Sequence, residues 1–366
     1  VTVLCTVNAI ACAPVIRHGP ESQPVTWPVY LGSPAHDIDA TERLDATPKP
    51  AWRANPGREI RGAAAAGKGV LAVGTTDRVV ALLGTDSGQV LWDRRLAGTI
   101  RGGPLLTDNR VYVATEETPS GRVYALEMRT GKTVWDEKTG GVAAAMVLTK
   151  DGLFAGSETG VLMALNPDTG GIRWRRHLSG SIQVAPVSTT AGLVVATTAD
   201  SLYLVDPATG AIVRRTPTPG AVLGTPATDG AHVYFATVTG TVASVDAATL
   251  DTVWTRDVGS GVYGAPAIAR DTLFVLTRAG RLVRVPLDAP ASAKSVELNL
   301  VSVAGPTPLA DGVLVVDVGG VVRCVDPGTG AERWRVTVAG PVEQPPLVWG
   351  GRLILVAGRG EVVSYQ

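Results

Sequence analysis

The side chains able to do chemistry are few and scattered. Cysteines stand at Cys5, Cys12 and Cys324, and histidines at His18, His36, His177 and His232. Zinc sites need Cys or His at close, paired spacing, and no such pairing occurs; three thiols make no disulfide framework either. The histidines read as surface or turn residues. No Gly-x-Ser-x-Gly elbow pins a nucleophile, no P-loop cradles phosphate, no Gly-x-Gly-x-x-Gly run enters a helix, and there is no EF-hand loop. The expectation is a protein without a catalytic set, a metal site or a cofactor.

One cysteine has a context of its own. Val1 to Ala11 is uncharged and mostly apolar, about the length of a signal-peptide core, and runs through Ala9-Ile10-Ala11 into Cys12. This resembles the bacterial lipobox, whose cysteine is acylated and becomes the mature N-terminus. Position 9 is Ala rather than Leu and no basic residue precedes the run, so a leader cleaved near Ala11 without lipid is the other reading. Both make the protein exported, with residues 1–12 as the leader and 13–48 as an extended tether rich in Pro, Thr, Ser and Asp. Cys324 is then left unpaired, and the fold does not depend on a disulfide.

Whatever these residues do must be positioned by short strands. The chain has 366 residues, 45% apolar and 18% charged, with 33 basic residues balancing 33 acidic ones. Neutrality gives no global field toward nucleic acid or an anionic membrane. The 43 glycines and 25 prolines suit many tight turns, and no apolar run is long enough to span a bilayer as a helix.

The repeat then decides the architecture. Trp52, Trp92, Trp135, Trp174, Trp254 and Trp334 fall on a period of about 40 residues, with Arg214 and Lys294 filling the two double-length gaps. Before the marks comes a turn such as Asn166-Pro-Asp-Thr-Gly170, Asp206-Pro-Ala-Thr-Gly210 or Asp326-Pro-Gly-Thr-Gly330. An Asp or Asn side chain caps the turn amides, and Gly takes the positive φ. Upstream lie paired β-rich runs, such as Val111–Ala114 with Val123–Leu126 and Val233–Ala236 with Val242–Val245. Four strands per repeat and eight repeats predict an all-β, eight-bladed propeller over residues 49–366. Gln366 falls where a third strand ends, and Pro50–Arg53 would supply the missing fourth, closing the ring through its termini.

The Asp-x-x-Thr-Gly-x-x-x-Trp pattern resembles the repeat of pyrroloquinoline-quinone-type propellers, over roughly residues 27–366. That resemblance assigns the six tryptophans to docking neighbouring blades. Quinoprotein alcohol dehydrogenases of the superfamily use an adjacent Cys-Cys pair and a calcium held by Glu, Asn and Asp; this chain has neither the pair nor a long insertion. The outer-membrane assembly lipoprotein BamB branch matches better in length, leader and lack of catalytic apparatus. It implies a monomeric, lipid-anchored scaffold at the periplasmic face of the outer membrane, with protein partners in the barrel-insertion machinery, and no nucleic acid. A quinone-dependent dehydrogenase or its non-catalytic relative is the alternative, and a ligand-sensing propeller another.

Nine residues after each mark the chain should reach the mouth of the central channel. The positions are Arg61, Arg101, Ala144, Gln183, Leu223, Tyr263, Val303 and Glu343. Arg61, Arg101 and Glu343 form a polar arc opposite Leu223 and Val303. With Gln183 and Tyr263 they are the candidate binding residues, for an anion or a peptide; an ordinary solvated mouth with a surface ion pair is the plainer possibility. The insertion Glu116–Gly121 is placed on the same face.

Overall fold

In the computed structural model the described residues, 42–44 and 47–366, form eight four-stranded antiparallel sheets and one short 3-10 turn, Pro290–Ser292. Cys5, Cys12, His18, His36 and almost all of the expected tether lie outside these residues. Blade 1 is typical: Ala65–Gly67 innermost, then Val70–Gly74, Val79–Gly84 and the outer strand Val90–Arg95. Its two middle strands are apolar throughout because both faces are covered by neighbouring blades. The outer strands of blades 2, 3 and 5 alternate between exposed and half-buried residues, since one face packs and the other meets water. Contacts between innermost strands, together with cores shared across the other seams, arrange the eight sheets in a ring.

Blade 8 joins the two ends of the chain. Leu347–Trp349, Arg352–Ala357 and Glu361–Tyr365 come from the C-terminal end, and Pro50–Ala54 supplies the outer strand, with Arg53 opposite Val363. Lys49 and Gln366 exchange both backbone hydrogen bonds, at 2.8 and 2.9 Å. This composite blade is the closure the sequence predicts.

The marks share one place in every blade. Trp92, Trp135, Trp174, Arg214, Trp254, Lys294 and Trp334 each lie opposite the equivalent residue of the third strand. Four indoles make the same cross-blade bond. Trp52 donates to the Thr85 carbonyl, Trp92 to Met128, Trp135 to Pro167 and Trp174 to Pro207, at 2.7 to 3.0 Å. Each acceptor is the second residue of the next blade's turn. The indole also lies on the glycine that ends that turn: a Cβ on Gly210 (φ +70°) would sit 2.6 Å from the ring of Trp174. Any side chain there would displace the indole, so Gly serves close approach as well as positive φ.

Where the pattern lapses, other side chains fill the gap. Val296 and Leu298 flank Gly330 behind Lys294. Leu44 is buried in the same cluster as Trp334. Beside it the Glu42 carbonyl accepts from Ala310, and its carboxylate from the amides of Gly350 and Gly351. This short piece of chain occupies the seam where blade 8 has no third-to-fourth-strand turn of its own.

Candidate functional site

Two connections per blade build one mouth of the channel: the loop arriving from the previous blade and the turn between the two middle strands. A backbone bond pins them together with constant spacing. The amides of Thr76, Glu116, Glu158, Thr198, Val238, Arg278, Val318 and Gly358 donate to residues seventeen earlier, from Glu59 and Thr99 through to Val301 and Pro341. Small residues let neighbouring loops touch here; a Cβ on Gly102 would lie 2.5 Å from the Ala144 carbonyl oxygen. The same spacing corrects blade 3. Its mouth position is Ala143, not Ala144, because the connection from Trp135 to buried Val142 is one residue shorter than that from Trp92 to buried Ile100.

The blades from 8 round to 3 carry charge. Arg61 is held by Glu59 at 2.9 Å, and Glu59 also accepts from the Thr76 hydroxyl. Arg101 reaches Glu116, in the inserted loop, at 2.5 Å. Glu343 is exposed and makes no ion pair with Arg61, although its charge helps hold that guanidinium protonated; the Gln344 amide donates to the Arg61 carbonyl at 2.7 Å. The hydrogen bond from Arg61 holds the Glu59 carboxyl below its ordinary range. Burial pushes the Glu116 carboxyl up; Arg101 opposes this, and Glu158 of blade 3, standing against it, reinforces it. Glu117 accepts from the Thr99 amide through Oε1, while its Oε2 is buried without a partner.

Blades 5 to 7 form the other side. Leu223, Val301 and Val318 are exposed, Val238 and Val303 half-buried. Tyr263 lies beneath the Arg278 guanidinium, 5.2 Å from its ring centre. Gln183 is exposed in blade 4, between the two sides.

Thus Arg61, Arg101 and Glu343 share one arc, whereas Gln183 and Tyr263 stand apart from it. Glu59, Glu116, Glu158 and Arg278 are mouth residues that spacing from tryptophan misses, because they come from the other loop or from another place in it. The residue after the Thr or Ser that closes the second strand finds Glu116, Glu158 and Arg278, whereas Glu59, two before Arg61, carries no such signal. Chemically the arc mixes carboxylates with guanidiniums, those of Arg61 and Arg101 being engaged by Glu59 and Glu116, and it faces a largely aliphatic wall across the channel. Cys324 is buried and its thiol pushed up to about 11, by burial first and by Asp311 second, which leaves it a protonated core residue. Among the described residues no three Cys, His, Asp or Glu side chains gather as metal ligands, and no helix is long and apolar enough to cross a membrane.

Fold, seams and mouth together define an eight-bladed propeller of the PQQ-like repeat class. Within that class the chain belongs to the family of the outer membrane protein assembly factor BamB, whose family model matches residues 39–188, 158–289 and 291–366. It is 27% identical over 165 residues to BamB of Nitrosomonas eutropha and 30% identical over 112 residues to BamB of Moranella endobia. These matches cover 42% and 27% of this chain, and only 39% and 28% of the two relatives' lengths. The crystal structure of BamB from Moraxella catarrhalis superposes with a TM-score of 0.73 at 17% identity, over 87% of this chain and 99% of that one. Quinohemoprotein alcohol dehydrogenase from Comamonas testosteroni gives 0.73 at 13% identity, over 93% of this chain and 80% of that one. At such identities both likenesses speak for the fold alone.

Proposed function

We propose that this protein is a non-catalytic scaffold for outer-membrane protein assembly in the cell envelope, exported and held to the membrane through an acylated Cys12. The observation that carries this reading is the BamB family match, which runs through all eight blades. The mouth supplies the means of contact: an arc bearing the carboxylates of Glu343, Glu59, Glu116 and Glu158 faces aliphatic side chains at Leu223, Val301 and Val318. Such a surface takes a partner segment with basic or hydrogen-bond-donating groups on one side and apolar groups on the other. It asks for no bond making and no cofactor.

The test is affinity capture from membranes. The wild-type protein should co-purify with the barrel-insertion machinery, and Glu59→Gln/Glu116→Gln/Glu343→Gln should lose most of the captured partner while keeping its unfolding midpoint. Absence of that machinery from the wild-type capture defeats the reading. For the anchor, mass spectrometry of the N-terminal peptide should show acyl chains on Cys12; an unmodified thiol there refutes the lipoprotein assignment.

A further inference from the structure

The chain is neutral as a whole, but its charges are not evenly spread around the rim. The outer strands of blades 3 and 4, Ile172–His177 and Ile212–Pro217, carry Arg173, Arg175, Arg176, Arg214 and Arg215, together with His177, and no carboxylate. Among the described residues no acidic group lies within 4.0 Å of any of the five arginines. Four of them hydrogen-bond to neutral oxygens: Arg173 to the Asp151 carbonyl, Arg175 to that of Lys138, Arg176 to that of Gly210, and Arg215 to the Ser201 hydroxyl. A neutral acceptor orients a guanidinium without cancelling its charge. Asp206, in the turn before the second strand, is occupied by its own turn amides. Blade 7 shows the contrast: there Arg333 faces Asp311 and Asp326, and Arg335 faces Glu332.

Aliphatic surface accompanies these charges. Ile212 is 43% and Val213 58% exposed, on the strand that carries Arg214 and Arg215. Exposed aliphatic side chains interleaved with uncompensated arginines are the composition of a surface that rests on anionic lipid headgroups. The outer strands form the convex edge of the ring. A planar anionic surface can touch such an edge at several of these arginines at once. We infer that the rim of blades 3 and 4 is a docking surface for a bilayer bearing anionic phospholipid, separate from the mouth and from any acyl chain at Cys12.

The test uses the full chain carrying Cys12→Ser, so that no lipid on the protein contributes. It is sedimented with vesicles of phosphatidylcholine containing about one third phosphatidylglycerol, and with phosphatidylcholine alone. Binding should appear only with the anionic vesicles and should vanish at high salt. At roughly fivefold per charge, Arg175→Gln/Arg214→Gln/Arg215→Gln should lower the partition coefficient about a hundredfold. The three Lys replacements should retain it, and so should Arg333→Gln/Arg335→Gln in blade 7. Unchanged binding by the triple Gln variant, or equal binding to neutral vesicles, overturns the assignment. Displacement by inorganic phosphate at matched ionic strength would reduce the surface to a single-phosphate site. Binding of polyglutamate without vesicle binding would make the partner an acidic protein segment, and either result also overturns it.

Discussion

The seam between blades 3 and 4 and the seam between blades 4 and 5 solve one packing problem from opposite sides. In the first, Trp174 reaches across and lies on Gly210, with its indole N–H on the Pro207 carbonyl at 3.0 Å. In the second, Arg214 takes the tryptophan's register and turns to solvent. The turn it would have covered, Asp246-Ala-Ala-Thr-Leu250, ends in Leu rather than Gly. Leu250 is 1% exposed, packs with Val194, Leu202 and Leu204, and holds a φ of 56° that costs a non-glycine residue about 1 kcal/mol or more. The difference shows what a seam requires: a filled volume between turn and outer strand, contributed by either blade.

The largest expected effect tests the first seam. Trp174→Ala removes a half-buried indole and its hydrogen bond and should cost about 3 kcal/mol in urea denaturation; a loss below about 1 kcal/mol would mean the seam does not depend on it. Building the second solution into the first seam should also fail. Gly210→Leu meets the Trp174 ring and should cost about 2–3 kcal/mol.

A double-mutant cycle sharpens the comparison. Arg214→Trp alone collides with Leu250, and Leu250→Gly alone leaves a hole, so each should destabilise by roughly 2 kcal/mol. Together they recreate the seam of blades 3 and 4, and the pair should recover at least about 1 kcal/mol relative to the sum. Strict additivity would show that the two positions do not exchange the same space. By contrast, Arg214→Ala should stay within about 0.5 kcal/mol of wild type by the same denaturation measurement.

The smallest effect belongs to the turns on both sides of the comparison. Backbone amides, that of Thr209, Thr249 or Thr329 foremost, hold the carboxyls of Asp206, Asp246 and Asp326 below their ordinary value of 3.8. A depressed native value means stability that is complete above the unfolded value and lost as pH falls through the native one. Asn keeps the turn without titrating, as Asn166 does by accepting from Asp168 and Thr169. Any advantage of wild type over Asp206→Asn/Asp246→Asn/Asp326→Asn should therefore shrink between about pH 5 and about pH 3. A gap that widens on acidification would contradict the assigned direction.

These seams also mark how far the sequence could be read. The spacing of tryptophan places every outer strand, including the two without tryptophan, because strand register is fixed once one face is buried. It identifies Pro50–Arg53 as the missing strand of blade 8, which the structure extends by one residue to Ala54. The loss of tryptophan at Arg214 was visible in the spacing, but nothing in one dimension says that Leu250 fills the space it leaves. The mouth was half legible for the same reason. Arg61 and Arg101 follow from the repeat, but their carboxylate partners arrive from the neighbouring loop, and the facing of Glu116 and Glu158 depends on two blades and an insertion. The five rim arginines were hidden by the overall neutrality of the chain.

The pairing of Arg53 with Val363 has a consequence for the order of events as the chain is made. Every other blade can assemble from a contiguous stretch of about 40 residues, soon after that stretch emerges. Blade 8 cannot: its outer strand, Pro50–Ala54, pairs with Glu361–Tyr365, from which all seven other blades separate it in sequence. Contacts of such long sequence separation form slowly. Joining these two strands closes the longest loop in the ring, so it should be the slowest of the strand pairings to form.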